Sequence, residues 1–281
     1  MVDTPFNRIK KLLTNQISTS LINKIPNKWE QVGDVVTIVI IPELEVYKKK
    51  IGKTFAEVLH CKTVLRDIGG IKGELRKPDV EVIFGSKNTE TIHKENGVKF
   101  KLDPKKIMFS SGNMYERMRM ANISAINEVV VDLFAGIGYF TLPLAVHGKA
   151  KKIYSCEKNP VSYNYLCENI VLNNVTSVVE PLLGNNREIA PKNVADRVIM
   201  GYIGDTASFL STAFNCLKNS CGVIHFHDKF PEKNVPELIM KKIKQEAKNI
   251  DRVAELIRYK QVKSYAPGIS HFVFDIKVNE K

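Results

Sequence analysis

Apolar positions along the chain fall into two textures. In the first 110 residues they come as short, mixed runs. DVVTIVII at residues 34–41 is β-branched and has the length of one buried strand. Residues 45–60 repeat apolar positions at helical spacing, and TVLRDIG, VEVIFG and TETIHKENGVKFKLD follow as short strands. Asn96-Gly97 in the last of these marks a hairpin turn, because both residues tolerate positive φ. The opening MVDTPFNRIKKLLTNQISTSLI has amphipathic spacing and predicts a packing helix rather than a membrane anchor. Together these elements predict a small N-terminal α+β domain over residues 1–110.

From Glu128 onward strand and helix alternate. EVVVDLF is an apolar strand running into a glycine-bearing loop, and YFTLPLAVHG follows as a helix. KKIYSCE is a second strand ending in an acid. Residues 159–174 form a helix begun by an Asn cap with Pro just inside. VVEPLLG, ADRVIM and CGVIHFH are three more strands, with helices over 206–218 and 233–249. Two last strands, RVAELIRYKQV and HFVFDIKV, are joined by KSYAPGIS. This order predicts an α/β domain over residues 111–281, with a doubly wound parallel sheet carrying an antiparallel edge hairpin. The helix over residues 113–122 bridges the two domains.

Composition narrows the classes. Of 281 residues 44% are hydrophobic, enough for a real core. No run of about 18 apolar residues occurs, so no spanning helix is expected. The N-terminus lacks the apolar stretch and small-residue cleavage site of a secretory signal. Cys61, Cys156, Cys167, Cys216 and Cys221 are an odd set without a CxxC pair. That pattern suits a reducing, cytoplasmic setting and speaks against disulfides or a metal site. The net charge is +12, spread over both halves, with 20 basic against 13 acidic residues up to position 110 and 22 against 17 beyond it. Such a balance suits a polyanion such as RNA, although a lysine-rich solvated surface gives the same count.

The candidate chemistry starts at DLFAGIGYF. Gly136 and Gly138 follow a strand that should end at the ligand-binding edge of an open sheet, and they let backbone approach a ligand closely. Glu157 ends the next strand, where a carboxylate accepts the two hydroxyls of a ribose. A dinucleotide fingerprint needs a third glycine where this chain has Thr141, which disfavours an NAD-dependent oxidoreductase. The pattern resembles class I S-adenosylmethionine (SAM)-dependent methyltransferases, whose cofactor has no pyrophosphate. In such enzymes Asn185 or Asn186 of LGNNRE would meet the adenine edge. Asp132 reads as shaping the loop. His225, His227 and Asp228 share a strand and read as structural or cleft-lining. The basic runs at residues 10–11 and 48–50 are plausible phosphate contacts.

A closer resemblance covers nearly the whole chain. FSSGNMYERMRM, DLFAGIGYF, EKNP, GNNRE and VKSYAP appear in the order found in a family of tRNA guanosine-37 N1-methyltransferases and relatives that transfer a 3-amino-3-carboxypropyl group in wybutosine synthesis. The methyltransferases of that family are similar to one another in an Asn-Leu-Pro or Asn-Pro-Pro run after the fourth strand. This chain has Gly201-Tyr202 there and so resembles the wybutosine branch, with N1-methylation as the alternative. The resemblance implies a Rossmann-like class I fold, SAM as group donor and the anticodon region of tRNA(Phe) as partner. It implies a SAM pocket of Ser110, Arg117, Phe134, Gly136, Glu157, Asn185 and Asn186, with Arg117 holding the donor's carboxylate. It also matches Glu128 to an acid that serves as general base in the methyltransferases, with a strand-start charge without a catalytic role as the alternative. It leaves Tyr202 to stack on the target base, to hydrogen-bond to it, or to serve only as a core residue. A non-catalytic RNA-binding protein would instead bind RNA without binding SAM.

Overall fold

The computed structural model describes residues 3–281, so the first two residues of the opening segment lie outside the described part. The chain divides into two compact units. One comprises Met1–Glu95 and Lys99–Ser111, and the other comprises Asn96–Val98 and Gly112–Lys281.

The first unit opens with α1 (Pro5–Leu13). The Thr4 hydroxyl caps it by accepting from the Asn7 amide at 3.2 Å, and Pro5 occupies its first turn. The helix is shorter than the amphipathic spacing predicts. The Thr14 hydroxyl donates back to the Lys10 carbonyl and the Gln16 side-chain amide donates to the Leu12 carbonyl, so polar side chains compete for the backbone. A strand not predicted, β1 (Trp29–Val32), pairs antiparallel with β2 (Val35–Val39) across a turn in which Gly33 has φ 58°. A 3₁₀ turn at Pro42–Tyr47 delays α2 (Lys48–Leu59), which ends at left-handed His60. Then come β3 (Thr63–Lys72) and β4 (Lys77–Gly85), giving the sheet order β1-β2-β3-β4 with β2 and β3 parallel. Ile9, Leu13, Val36, Ile38, Ile51, Phe55 and Val64 form the core. The hairpin β5 (Thr91–Glu95) and β6 (Val98–Leu102) turns at Asn96-Gly97, with φ 48° and 76°, as its dipeptide predicts.

The second unit begins with α3 (Met114–Ala121). Strands and helices then alternate through β7 (Val129–Asp132), α4 (Thr141–His147), β8 (Lys152–Glu157), α5 (Pro160–Leu172), β9 (Val179–Leu183), a one-turn α6 (Asn186–Ile189), β10 (Arg197–Met200), α7 (Leu210–Cys216), β11 (Gly222–Pro231) and α8 (Glu237–Asn249). The Asn159 side chain accepts from the Val161 amide at 3.0 Å and caps α5, with Pro160 at the first helical position. β12 (Arg252–Ala266) and β13 (Ile269–Glu280) close the chain as a long antiparallel hairpin. The sheet runs β12-β13-β11-β10-β7-β8-β9, parallel from β9 to β11, with β13 antiparallel against β11. This is the predicted doubly wound α/β sheet with its edge hairpin. Strand order reverses between β7 and β10, so the loops leaving these two neighbours part at a crevice. No helix among the described residues is long and apolar enough to cross a membrane.

Candidate cofactor site

The loop after β7 is built by backbone bonds that a glycine-rich segment can make. The Leu133 amide donates to the Ile199 carbonyl, Ala135 to Cys156, and Gly138 back to Ala135. Gly136 and Gly138 stand at φ 59° and 100°, and a Cβ at Gly138 would meet the Leu142 side chain at 2.6 Å. Both positions therefore need glycine. Asp132, fully buried, accepts from the Phe134 amide at 3.1 Å and from the Thr141 hydroxyl at 2.8 Å. Burial pushes its carboxyl up to about 6, against those two donors. It shapes the loop, as its position suggests.

Glu157 reaches the loop from β8. One carboxylate oxygen accepts from the Gly136 amide at 2.7 Å, and the other accepts from the Asn159 amide at 2.7 Å. Burial raises its carboxyl, and these amides oppose the rise. Each oxygen has two lone pairs, so the acid retains acceptor capacity for two hydroxyls.

The two asparagines do different work. Asn185 caps α6, accepting from the Arg187 amide at 3.2 Å while its own amide donates to Glu188 at 3.1 Å. Asn186 is buried and donates to the Leu133 carbonyl at 2.8 Å, and its Oδ1 is buried without a partner. An orphaned buried acceptor costs about 1–3 kcal/mol. An exocyclic amino group such as that of adenine would satisfy it, so the residues present fit an adenosyl group.

Aromatic rings join the loops after β7 and β10. Phe134 stacks on Tyr202 with centroids 5.0 Å apart and planes at 17°, and Phe209 meets it edge-on at 4.9 Å. Asp228 of β11 holds the loop that carries Tyr202, accepting from the Gly204 and Thr206 amides, both at 3.0 Å. The Thr206 hydroxyl donates to the Tyr202 carbonyl at 3.0 Å. Phe209 is a contributor without a sequence signal, whereas the sequence already marks Asp228 as structural or cleft-lining.

Glu128 is not brought to this crevice. It precedes β7 at the amino end, about 13 Å of strand away from Asp132. Arg197 grips it in a two-point ion pair at 2.6 and 2.9 Å. The pair opens a chain of buried polar contacts. Arg197 reaches His225 at 2.7 Å, His225 reaches Asp275 at 2.5 Å, and Asp275 accepts from Arg119 at 2.9 Å. Arg119 in turn clamps the buried Glu116 of α3. Burial lowers the His225 pKa. In Asp275, burial acts upward but the His225 and Arg119 contacts outweigh it and hold the carboxyl low. Glu128 is thus held in an ion pair at a strand end, in keeping with the alternative to a general base. Arg117 on α3 is only 2% exposed and is not a solvated helix arginine. Ser110 lies in the closing segment of the first unit, beside Ser111, whose amide donates to Glu30 at 2.8 Å.

Residues 91–256 match the TRM5/TYW2 methyltransferase domain, and residues 9–89 match the TYW2 N-terminal domain. This chain belongs to the TRM5/TYW2 family. Among TRM5/TYW2 relatives, the tRNA(Phe) (4-demethylwyosine(37)-C(7)) aminocarboxypropyltransferase of Pyrococcus horikoshii is 43% identical over 271 residues, covering 96% of each chain. A crystal structure of P. horikoshii TYW2 in complex with MeSAdo superposes with TM-score 0.87 at 40% identity, covering 98% of this chain and 100% of that one. The tRNA (guanine(37)-N(1))-methyltransferase Trm5b of Pyrococcus abyssi is 37% identical and covers 91% of this chain and 76% of its own length. In this member of the TRM5/TYW2 family, the β7 loop bonds to Glu157 and to Asn186, and the β10 loop joins it through the stacking of Phe134 on Tyr202.

Proposed function

We propose that this chain transfers the 3-amino-3-carboxypropyl group of SAM to C-7 of 4-demethylwyosine at position 37 of tRNA(Phe), in wybutosine-derivative biosynthesis. The observation that carries this reading is the near full-length similarity, at 43% identity, to an enzyme named for that transfer. Gly201-Tyr202 at the end of β10 agrees with it, standing where the methyltransferases carry their Asn-Pro run.

SAM supplies an electrophilic Cγ on a sulfonium leaving group. In the balanced reaction C-7 forms the new bond to Cγ, and the Cγ–S bond breaks with its electrons passing to sulfur. The proton on C-7 passes to solvent, and methylthioadenosine leaves. Glu157 accepts the ribose hydroxyls, and Asn186 Oδ1 accepts from the adenine amino group. Phe134 lines the adenosyl side and carries Tyr202, which offers its ring to the target base. Arg117 anchors the carboxylate of the transferred arm, as a buried guanidinium suits. That anchor decides which carbon lies in line with the nucleophile and so separates carboxypropyl from methyl transfer. The first unit contributes contacts to the anticodon region, and the enzyme works in the cytoplasm.

The test is transfer from SAM labelled separately in its methyl and carboxyl carbons to tRNA(Phe) bearing 4-demethylwyosine. Carboxyl label should enter the RNA, with one methylthioadenosine released per label. A parallel reaction uses tRNA(Phe) carrying an unmodified guanosine 37. Methyl label entering that guanosine with S-adenosylhomocysteine released, and no carboxyl label entering the first tRNA, would overturn the assignment in favour of N1-methylation.

A further inference from the structure

The second unit carries a row of cations on its outermost strand that the cofactor site leaves unused. β12 is the sheet edge, and three register shifts along it re-aim its side chains. Arg258, Lys260 and Lys263 pair in register with Asp275, Val273 and His271 of β13, so all three stand on one face. Asp275 on that face already receives Arg119 of α3, which identifies it as the α3 face. Lys229 of β11 is opposite His271 and joins the row.

Exposed aromatic rings interleave with these cations. The Lys260 ammonium lies 3.5 Å from the centroid of Tyr115, which projects from α3, and Lys229 lies 4.8 Å from that of Tyr265. Tyr115 is 54% and Tyr265 49% exposed. Arg258 and Lys260 both lower the Tyr115 hydroxyl pKa, Lys260 more, which puts the two cations at one ring. Among the described residues Arg258, Lys260 and Lys229 show no ion pair, whereas Lys24, Lys48, Arg66 and Lys152 are each spent on a carboxylate.

Arg258, Lys260 and Lys229, with no ion pair among the described residues and set beside flat exposed rings, are what a single-stranded nucleic acid requires. The cations take phosphates, and the rings take unstacked bases. We propose that the α3 face of β12, with Arg258, Lys260, Lys263, Lys229, Tyr115 and Tyr265, is the track that grips the RNA strand flanking the target nucleotide. Arg258 and Lys260 are two residues apart on a strand, about 6.6 Å. β12 runs in the same sense as β11, so Lys263 and Tyr265 lie at the carboxyl end of the sheet, where the β7 and β10 loops also end. Three strand spacings separate β12 from β10, about 14 Å, a distance that a few nucleotides span. The bulged edge is poorly suited to adding a partner strand, which disfavours a protein ligand.

The proposal rests on the RNA-substrate reading above, and the experiment separates the two. Binding of tRNA(Phe) bearing 4-demethylwyosine is measured from about 50 to 300 mM salt for the wild type and for Arg258→Gln/Lys260→Gln, alongside carboxyl-label transfer. The double variant should weaken RNA binding about tenfold and lower the salt slope by about 1.4, two phosphate contacts at the single-strand value. Its SAM affinity, measured by calorimetry, should stay within twofold of wild type and so report an intact fold. Lys241→Gln/Lys242→Gln on the exposed side of α8 should leave the slope as it was. Wild-type transfer with an unchanged slope in the Arg258/Lys260 variant would overturn the track alone. A reduced slope in a chain whose wild type transfers no label would leave the track standing and overturn the substrate assignment.

Discussion

At the scale of single residues, the cofactor site divides into side chains that build the loop and side chains with capacity left over. Asn185 and Asn186 are adjacent and chemically identical, and LGNNRE gives no reason to prefer either. The fold bonds them differently. Asn185 spends both ends of its amide on capping α6, whereas Asn186 keeps a buried oxygen without a partner. Replacing Asn186 with Ala should raise the SAM dissociation constant by about 10- to 100-fold, the effect of losing one buried polar contact and the packing around it. Replacing Asn185 with Ala should cost about 1 kcal/mol of stability through the lost cap and change the SAM constant less than threefold. Calorimetric titration and denaturant unfolding of both variants check this, and equal losses of affinity would remove the distinction. Glu157 was legible from sequence because a strand-ending acid is a spacing signal. Phe209 was not, because its role comes from packing against a residue far away in the chain, and Asp228 was legible only as structural or cleft-lining, without its partners. The partner of Phe209 is Phe134, and Asp228 holds backbone amides that carry no sequence mark.

At the scale of elements, the alternating strands and helices of the second unit were readable because each has a strong period and ordinary caps. β1 escaped because its four residues, WEQV, show neither clear alternation nor an apolar run. α1 stopped short where Thr14 and Gln16 side chains captured backbone carbonyls. Glu128 stands apart from the crevice for a further reason. A residue beside a functional loop in sequence is at the opposite end of the strand in space, and β7 carries Glu128 away from the crevice as directly as it carries Asp132 into it. The ion pair with Arg197 then ties β7 to β10, and His225 and Asp275 extend the tie to β11 and β13. Glu128→Gln should keep the carboxypropyl transfer rate within about threefold of wild type, since a general base is worth about 10²–10⁴-fold. Arg197→Met should instead destabilise the second unit by about 3–5 kcal/mol, because the Glu128 carboxylate and His225 lose their shared partner. Single-turnover transfer rates and unfolding curves separate the two roles. A hundredfold slower Glu128→Gln enzyme with normal stability would restore the acid to catalysis.

Across the whole molecule, buried titrating groups of opposite sense meet on one sheet and set how the second unit responds to acid. His227 and His271 are buried against each other, with ring nitrogens 3.1 Å apart. Desolvation drives them down to about 3 and about 2. An unfolded histidine titrates near 6.5, so below about pH 6.5 the unfolded chain binds two protons that the fold refuses. Those two groups therefore contribute stability at neutral pH that is lost as the pH falls. Asp132 acts the other way. Its folded pKa of about 6 exceeds its unfolded value, so its contribution is present at low pH and lost as pH rises through about 6. At about pH 5.5 the histidines alone would give a slope of about 2.5 kcal/mol per pH unit, and protonation of Asp132 in the fold cancels about 1 of that. Wild type should accordingly lose about 1–2 kcal/mol per unit between pH 6.5 and 5.5, and Asp132→Asn should lose about 2–3 over the same window. Trp29 belongs to the first unit and is the only tryptophan, so its fluorescence would follow the wrong transition. Hydrogen exchange at β11 and β13 amides, in both proteins across that range, reads the relevant one. A flat wild-type profile would mean that the histidine pair accepts protons in the fold. Parallel profiles for the two proteins would mean that Asp132 is ionised throughout.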